Sequence, residues 1–215
     1  MQYNFISIEG NIGAGKTSLA RRLSSDYDAR LILESFSENP FLPKFYKNPE
    51  KYAFSLELFF MAERYSQMQE QDLFHSLTIS DYLFVKSKLF AQNNLRDDEL
   101  FLFNKLFNSM SASVPIPKLV VYLYSSIERL QHNIKSRGRG FEQYISNEYL
   151  QNIQNKYLDY LHKQKIHPTL IIDTTNIDFL KNDMEYQKIK SAIKSNYKIG
   201  VHNLTITNSI NQEEE

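Results

Sequence analysis

The fold of this chain is decided by one short stretch, Gly10-Asn11-Ile12-Gly13-Ala14-Gly15-Lys16-Thr17. It matches the P-loop pattern G-x-x-x-x-G-K-S/T at every defined position. Glycines let backbone N–H groups turn toward phosphate oxygens, because no Cβ stands in the way. Lys16 is expected to bridge the β- and γ-phosphates of a nucleotide, and Thr17 to hold Mg²⁺ through its hydroxyl. We therefore predict a nucleoside triphosphate site that continues to Ser18, in a helix whose positive end faces the phosphates.

Short β-rich runs alternate with helical stretches on both sides of this motif. One run covers residues 3–8, directly before the loop, and the others cover residues 31–33, 77–80, 118–124 and 169–173. Strands that alternate with helices form parallel sheets with both faces covered. The sequence therefore predicts an α/β P-loop fold with a five-stranded parallel sheet between two layers of helices.

Composition excludes several other classes of protein. Lys and Arg total 25, as do Asp and Glu, so the chain lacks the positive excess typical of proteins that bind long nucleic acids. There is no cysteine, which excludes disulfides, thiolate zinc sites and cysteine nucleophiles. The apolar runs are too short for a membrane span. We expect a cytoplasmic protein with neither a nucleic-acid polymer nor a membrane as its partner.

The length of 215 residues suits one domain. We expect a catalytic domain over residues 1–197 with a lid at about residues 136–144, followed by a tail over residues 198–215. Within this tail, the pattern of residues 201–210 permits a short extra strand. Regulatory GTPases need the guanine-reading motif N-K-x-D, but the nearest match, at Asn155-Lys156, is followed by Asp159 one position too late. Motors and helicases need a longer chain, so kinases of small molecules are the leading class.

Several further segments resemble the deoxynucleoside kinase family, and this resemblance covers roughly residues 3–180. Glu34 stands just past the second predicted strand, with Asn39-Pro40 shortly after it. In the family a Glu at this place is the general base, so the resemblance gives that role to Glu34. The family usually has Pro next, whereas this chain has Ser35.

The resemblance also assigns residues that bind the nucleoside. Tyr46 begins a Tyr-x-x-Pro run, which in the family holds the sugar 3′-hydroxyl. Glu57 stands where the family usually has a Gln that reads the edge of the base, and Arg64 stands where an Arg assists it. Helical spacing agrees, because residues 57, 61 and 64 share one face of a helix.

Two later segments complete the resemblance. Arg137, Arg139 and Glu142 stand in a stretch similar to the family's lid, whose arginines close over the transferred phosphoryl group and whose Glu is a second holder of the 3′-hydroxyl. Asp178 and Phe179 stand in a stretch that resembles the loop against the adenine of ATP. The resemblance thus implies ATP and Mg²⁺, and it implies these catalytic residues: Lys16, Glu34, Arg137 and Arg139.

One departure from the family follows the third predicted strand. The family typically has an acidic residue, Arg and Ser there, whereas this chain has Asp81-Tyr82-Leu83. Asp81 is still expected to serve the Mg²⁺ shell and the substrate site. As a hypothesis, Lys86 or Lys88 replaces the missing Arg.

These assignments imply an enzyme, a homodimer by resemblance, that phosphorylates the 5′-hydroxyl of a deoxynucleoside. Guanine suits an ionised Glu57 because its N1–H and 2-amino group are both donors, and Arg64 would then face O6 and N7. Adenine would need a protonated Glu57, or a contact through its 6-amino group alone. A purine is favoured, partly because the small Ser87 leaves room for one, and the choice between the two purines stays open. The alternatives are a nucleoside monophosphate kinase, whose acceptor phosphate Glu34 would repel, and a nucleotide-binding module with impaired catalysis.

Overall fold

All strands of the sheet run in the same direction. The computed structural model describes residues 2–70 and 72–206. The strands are β1 Phe5–Gly10, β2 Arg30–Ile32, β3 Thr78–Ser80, β4 Leu119–Tyr124, β5 Pro168–Asp173 and β6 Gly200–Thr205. Their spatial order is β2-β3-β1-β4-β5-β6, and every neighbouring pair is parallel.

Helices form the connections between these strands. Their bounds are α1 Lys16–Tyr27, α2 Leu42–Phe45, α3 Pro49–Gln69, α4 Lys86–Asn94, α5 Asp97–Ser111, α6 Ile127–Arg137, α7 Asn147–Lys163 and α8 Asp183–Lys194. Local sequence sets several of their starts: α3 begins at a proline after Asn48, and the hydroxyls of Ser126 and Ser146 cap α6 and α7. Within the described ranges, none of these helices is long and apolar enough to cross a membrane.

The two faces of the sheet are both buried under helices. Ile8 and Val121 pack with Leu19 of α1 in the core on one face. Val120 and Tyr122, which alternate with them along the sheet, belong to the core on the other face together with residues of α7. Alternation of this kind requires a layer of helices on each side. The predicted α/β fold is therefore confirmed.

Among the residues that the structure describes, the sheet has six strands, one more than the five expected. The extra strand, β6, pairs with β5 from Pro168↔Gly200 to Asp173↔Thr205. It lies in the segment assigned to the tail, where the sequence permitted a strand over residues 201–210. Residues 207–210 of that stretch lie outside the described residues. Because β6 is a half-buried edge strand, its sequence carries a weaker apolar signal than the central strands do.

The carboxyl ends of the central strands meet at one edge of the sheet. Gly10 ends β1 and opens the P-loop, Glu34 follows β2 by two residues, and Asp81 directly follows β3. Ligands of open α/β sheets bind outside this edge, near the point where the strand order reverses. In this sheet β1 is that point, since β3 and β4 lie on its two sides.

Candidate active site

The P-loop has backbone conformations that suit glycine. Gly13 and Gly15 have φ values of 85° and 88°, in the left-handed region. A Cβ on Gly15 would lie 3.0 Å from Cζ of Phe179, and one on Gly13 would lie 2.8 Å from the carbonyl oxygen of Leu130. Helix α1 begins immediately afterwards, at Lys16. Backbone conformation and close packing against Leu130 and Phe179 thus both require glycine at these positions. A glycine loop that leads into a helix N-terminus fits the triphosphate predicted from the sequence.

Lys16 is half-buried beside other charged groups. Its ammonium group donates to the carbonyl oxygen of Asn11 at 2.9 Å. Burial and the neighbouring Lys86 lower the pKa of Lys16 to about 8, although the carboxylates of Glu9 and Glu34 oppose the shift. A phosphate next to Lys16 would add negative charge and favour the protonated ammonium.

Thr17 and Asp81 bring two oxygen ligands together. The Thr17 hydroxyl donates to Oδ2 of Asp81 at 2.5 Å, and the backbone N–H of Glu34 donates to Oδ1 of Asp81 at 2.8 Å. Hydroxyl and carboxylate oxygens suit Mg²⁺, which is usually held by one or two protein groups together with phosphates. Residues 2–70 and 72–206 contain no cluster of three or more acidic, His or Cys side chains that could hold a metal without such help.

Glu34 lies between two cationic side chains. The ammonium of Lys86 donates to its Oε2 at 2.7 Å, while Nε and Nη2 of Arg64 donate to its Oε1 at 3.0 and 2.5 Å. Burial alone would raise the pKa of Glu34, but Lys86 and Arg64 outweigh it and hold that pKa well below its usual range. Glu34 is therefore ionised throughout the neutral range.

The structure separates the two lysines considered as replacements for the missing arginine. Lys86 is 5% exposed and contacts Glu34. The ammonium of Lys88 instead lies 5.7 Å from the ring centroid of Phe107. Lys86 and Lys88 stand two positions apart on α4, so they point to different sides of the helix. Only Lys86 of this pair is placed to support Glu34.

Arg64 has two neighbours that the sequence analysis did not assign to it. Its guanidinium donates to Glu34 and, through Nη1, to the hydroxyl of Ser87 at 2.7 Å. Opposite charge stabilises the first contact, because the ionised carboxylate of Glu34 attracts the buried guanidinium. A contact between Arg64 and the substrate stays a prediction.

Glu57 is a buried carboxyl group, and within the described residues one of its two oxygens has no hydrogen-bond partner. The residue is 1% exposed, and its Oε1 accepts a hydrogen bond from Nδ2 of Asn94 at 2.7 Å. Its Oε2 is buried and has no hydrogen-bond partner among the residues that the structure describes. Burial raises the pKa of Glu57 to about 7, against the lowering effects of Arg64 and Asn94. Asn94 belongs to none of the motifs, so the sequence analysis missed it.

The lid arginines lie against Glu142. Arg137 is the last residue of α6, and its Nη2 donates to Oε2 of Glu142. Nη1 of Arg139 donates to Oε1 of the same carboxylate at 3.2 Å. In the same stretch, Phe141 stacks on Tyr46 with ring centroids 6.0 Å apart. The two predicted sugar-binding residues, Tyr46 and Glu142, line the same cavity.

One cavity unites most of the residues predicted from the sequence. It is lined by twelve of them: Ile12, Gly13, Lys16, Thr17, Glu34, Tyr46, Glu57, Arg64, Asp81, Arg137, Arg139 and Glu142. Asp178 and Phe179 lie outside it, in an adjoining groove that they share with the P-loop and the two lid arginines. Lys16 and Thr17 line both the cavity and the groove. A phosphoryl donor bound in the groove would therefore meet a phosphoryl acceptor bound in the cavity at these two residues.

Glu9 is a further buried carboxyl group that sequence reasoning missed. Its Oε2 accepts from the backbone N–H of Gly10 at 3.1 Å, and its Oε1 accepts from that of Leu83 at 2.6 Å. Burial raises its pKa, although Lys86 and Lys16 act in the opposite direction. Glu9 thus joins the start of the P-loop to the turn after β3. The sequence did contain a signal for this role, because Glu9 is a charged residue within the otherwise uncharged β1.

Fold and cavity together place the chain among the P-loop enzymes that transfer a phosphoryl group to a small molecule. The model of the deoxynucleoside kinase family matches residues 6–198, and the chain belongs to that family. It is 34% identical over 198 residues to a deoxyguanosine kinase of Bacillus subtilis (strain 168), covering 88% of this chain and 96% of that protein. It is 32% identical over 196 residues to a deoxyadenosine kinase of Dictyostelium discoideum, covering 88% and 79%.

Solved structures support the same fold. A deoxyadenosine kinase from M. mycoides with bound dATP has a TM-score of 0.75 to this structure at 23% identity, over 89% of this chain and 99% of that one. The same kinase with dCMP and dCDP has a TM-score of 0.74, over 88% and 100%. At this level of identity the likeness shows the fold alone.

Proposed function

We propose that this enzyme transfers the γ-phosphoryl group of ATP to the 5′-hydroxyl of a 2′-deoxynucleoside, and that it favours a purine. The observation that carries this proposal is the position of Glu34, whose carboxylate lies between Lys86 and Arg64 in the same cavity as Lys16 and Thr17. A hydroxyl bound at Glu34 would lie beside the group that binds the phosphates. The names of the relatives, deoxyguanosine kinase and deoxyadenosine kinase, support a purine acceptor.

Glu34 would accept a hydrogen bond from the 5′-hydroxyl and orient its lone pair toward the γ-phosphorus. Its low pKa makes it a weak proton acceptor in the ground state. That is sufficient for phosphoryl transfer, because the loose transition state needs little deprotonation before the oxygen attacks. The proton can pass to Glu34 as the new bond forms and the hydroxyl becomes more acidic. Positioning is therefore the main contribution of Glu34.

Positive charge for the transferred group would come from Lys16 and the lid. Arg137 and Arg139 are paired with Glu142, and they would exchange that carboxylate for the phosphates when the lid closes. Glu142 would then be free to accept a hydrogen bond from the 3′-hydroxyl of the sugar, beside Tyr46. Bound Mg²⁺, with Thr17 and Asp81 as its protein ligands, would neutralise charge on the phosphates.

Replacing one lid arginine should slow turnover severely. We expect Arg137→Ala and Arg139→Ala each to lower kcat by about three orders of magnitude, the scale of an arginine finger. Steady-state assays with saturating ATP would measure this, with Arg21→Ala as the control because Arg21 is an exposed arginine of α1. A loss of only a few-fold in both lid variants would refute a role for these arginines in charge stabilisation.

The proposed activity can be tested with a panel of acceptors. Purified protein is incubated with Mg-ATP and each of the four common deoxynucleosides or the matching ribonucleosides, and the products are identified by chromatography against 5′- and 3′-monophosphate standards. We expect a 5′-monophosphate, formed fastest from a purine deoxynucleoside. A fastest product from a pyrimidine would contradict the purine preference, and the absence of any monophosphate would contradict the activity. The homodimer implied by the resemblance stays a prediction.

A further inference from the structure

The unpartnered oxygen of Glu57 points to a ligand that supplies a partner. Both carboxylate oxygens are buried, yet only Oε1 has a hydrogen bond within the described residues, the one from Asn94. A buried polar atom without a partner is costly, and such atoms in native proteins usually mark a missing ligand or water. Glu57 lines the cavity that also contains Glu34 and Tyr46, so a nucleoside bound there would bring its base to this oxygen.

Asn94 determines which oxygen of Glu57 stays free. Its Nδ2 donates to Oε1 of Glu57 at 2.7 Å and to the hydroxyl of Tyr149 at 3.2 Å. Its Oδ1 accepts from Nδ2 of Asn93 at 3.1 Å, so contacts on both sides keep the amide in one orientation. An amide NH₂ in this place is a donor only. Asn94 therefore occupies Oε1 in either protonation state of Glu57 and leaves Oε2 to the base.

The two purines make opposite demands on that oxygen. Guanine presents N1–H and the 2-amino group, both of which donate, so an ionised Oε2 can accept from them. Adenine presents N1 as an acceptor beside its 6-amino donor, so Oε2 must carry a proton in order to bond to N1. An ionised Oε2 could accept only from the 6-amino group, and it would leave N1 of adenine without a partner.

We propose that Asn94 and Glu57 together select the purine: the ionised Glu57 binds deoxyguanosine, the protonated Glu57 binds deoxyadenosine, and Asn94 is the positioning residue that presents Oε2. This inference rests on the proposed function. The protonation state of Glu57 then determines which purine is preferred, and the preference therefore changes with pH.

Both forms of Glu57 are populated near neutral pH, because burial raises its pKa to about 7. The charged and titratable groups that face Glu57 from the surrounding elements are Glu34, Tyr46, Arg64, Lys86 and Tyr149. Glu34 is paired with Arg64 and Lys86, and burial raises the pKa of both tyrosines far above neutrality. Neither tyrosine therefore changes its charge in the range in which Glu57 titrates.

The test is the ratio of kcat/KM for deoxyguanosine to that for deoxyadenosine, measured in the wild-type enzyme with saturating Mg-ATP. We expect the ratio to rise with pH by up to about tenfold per unit between about pH 6 and about pH 8, because the ionised fraction of Glu57 rises. Titration of Lys16 or of the lid acts on both substrates and cancels in the ratio. A ratio independent of pH, with both purines phosphorylated, would overturn this inference alone.

Two variants separate the roles of Glu57 and Asn94. Glu57→Gln should make the ratio independent of pH and shift it toward deoxyadenosine, because Asn94 would hold the amide oxygen and the NH₂ would face N1 of adenine. Asn94→Ala removes a hydrogen bond that favours the ionised form, so the pH profile should move upward by about one unit. Gln92→Ala, at an exposed position of α4, is the control.

Each variant result has a clear meaning. If the kcat/KM ratio of Asn94→Ala depends on pH as it does in the wild-type enzyme, the role of Asn94 is overturned. If the ratio still depends on pH in Glu57→Gln, the role of Glu57 is overturned. If the wild-type enzyme phosphorylates neither purine at any pH, the proposed function fails and this inference fails with it.

Discussion

Lys86→Ala is expected to lower kcat by about two to three orders of magnitude, the cost of removing one preorganised electrostatic partner from a water-excluded site. Lys86 donates to Glu34 at 2.7 Å and is almost fully buried, so its loss leaves Glu34 with Arg64 as its remaining cationic partner. The carboxylate could then rotate away from the acceptor hydroxyl. Steady-state turnover with saturating ATP and deoxynucleoside measures the effect.

Lys88→Ala supplies the matched control, because Lys88 lies on the same helix but near Phe107. It should retain turnover within a few-fold of the wild type, and Lys86→Arg should recover a large part of the lost rate, since an arginine stands near this place in the family. Near-normal rates in both alanine variants would show that neither lysine compensates for the missing arginine. A large loss in Lys88→Ala alone would contradict the placement of both side chains.

Glu34→Gln is expected to have an effect of at least the same size, about a thousandfold in kcat, because the amide is a poor proton acceptor and a weaker partner for the hydroxyl. Binding of ATP should change little, since Glu34 lies outside the P-loop and the substituted amide keeps the size of the side chain. Measuring kcat and the Kd of ATP in the same preparation therefore separates loss of chemistry from loss of structure.

Glu38→Gln is the control for this substitution, because Glu38 is exposed and lies only four residues away. A second check uses pH. The pKa of Glu34 is held well below its usual range, so it stays ionised as the pH falls from neutrality, and protonation of Glu34 should not limit the wild-type rate above about pH 5. A Glu34→Gln enzyme within tenfold of the wild-type rate would remove Glu34 from the catalytic role.

Much of the site was predictable because its residues stand at the ends of strands. Lys16, Glu34 and Asp81 follow β1, β2 and β3, and parallel strands bring these positions to the same edge of the sheet. The P-loop pattern assigned Lys16 and the resemblance to the family assigned Glu34 and Asp81, and the parallel topology explains why these positions meet. The cavity that unites them also contains the lid arginines, which are separated from the P-loop by more than a hundred residues.

Other features depended on contacts that no local pattern encodes. Asn94 reaches Glu57 from a different helix, and the buried Arg64 contacts the half-buried Glu34 because their charges are opposite. The choice between Lys86 and Lys88 depended on the rotation of α4 against Glu34. Strand β6 was expected only as an optional element, because three of its six residues are polar. His202 is half-buried, and Asn203 and Thr205 are exposed. Pairing with β5 along its whole length defines it as a strand.

The central claim is that the acceptor is a nucleoside hydroxyl and not a nucleotide phosphate. The most direct test compares kcat/KM for deoxyguanosine with that for its own 5′-monophosphate, at the same pH and with the same Mg-ATP. Because the ionised carboxylate of Glu34 would face the acceptor's phosphate, we predict that the nucleoside is favoured by about a hundredfold or more. A higher kcat/KM for the monophosphate would contradict this account and would identify a nucleoside monophosphate kinase.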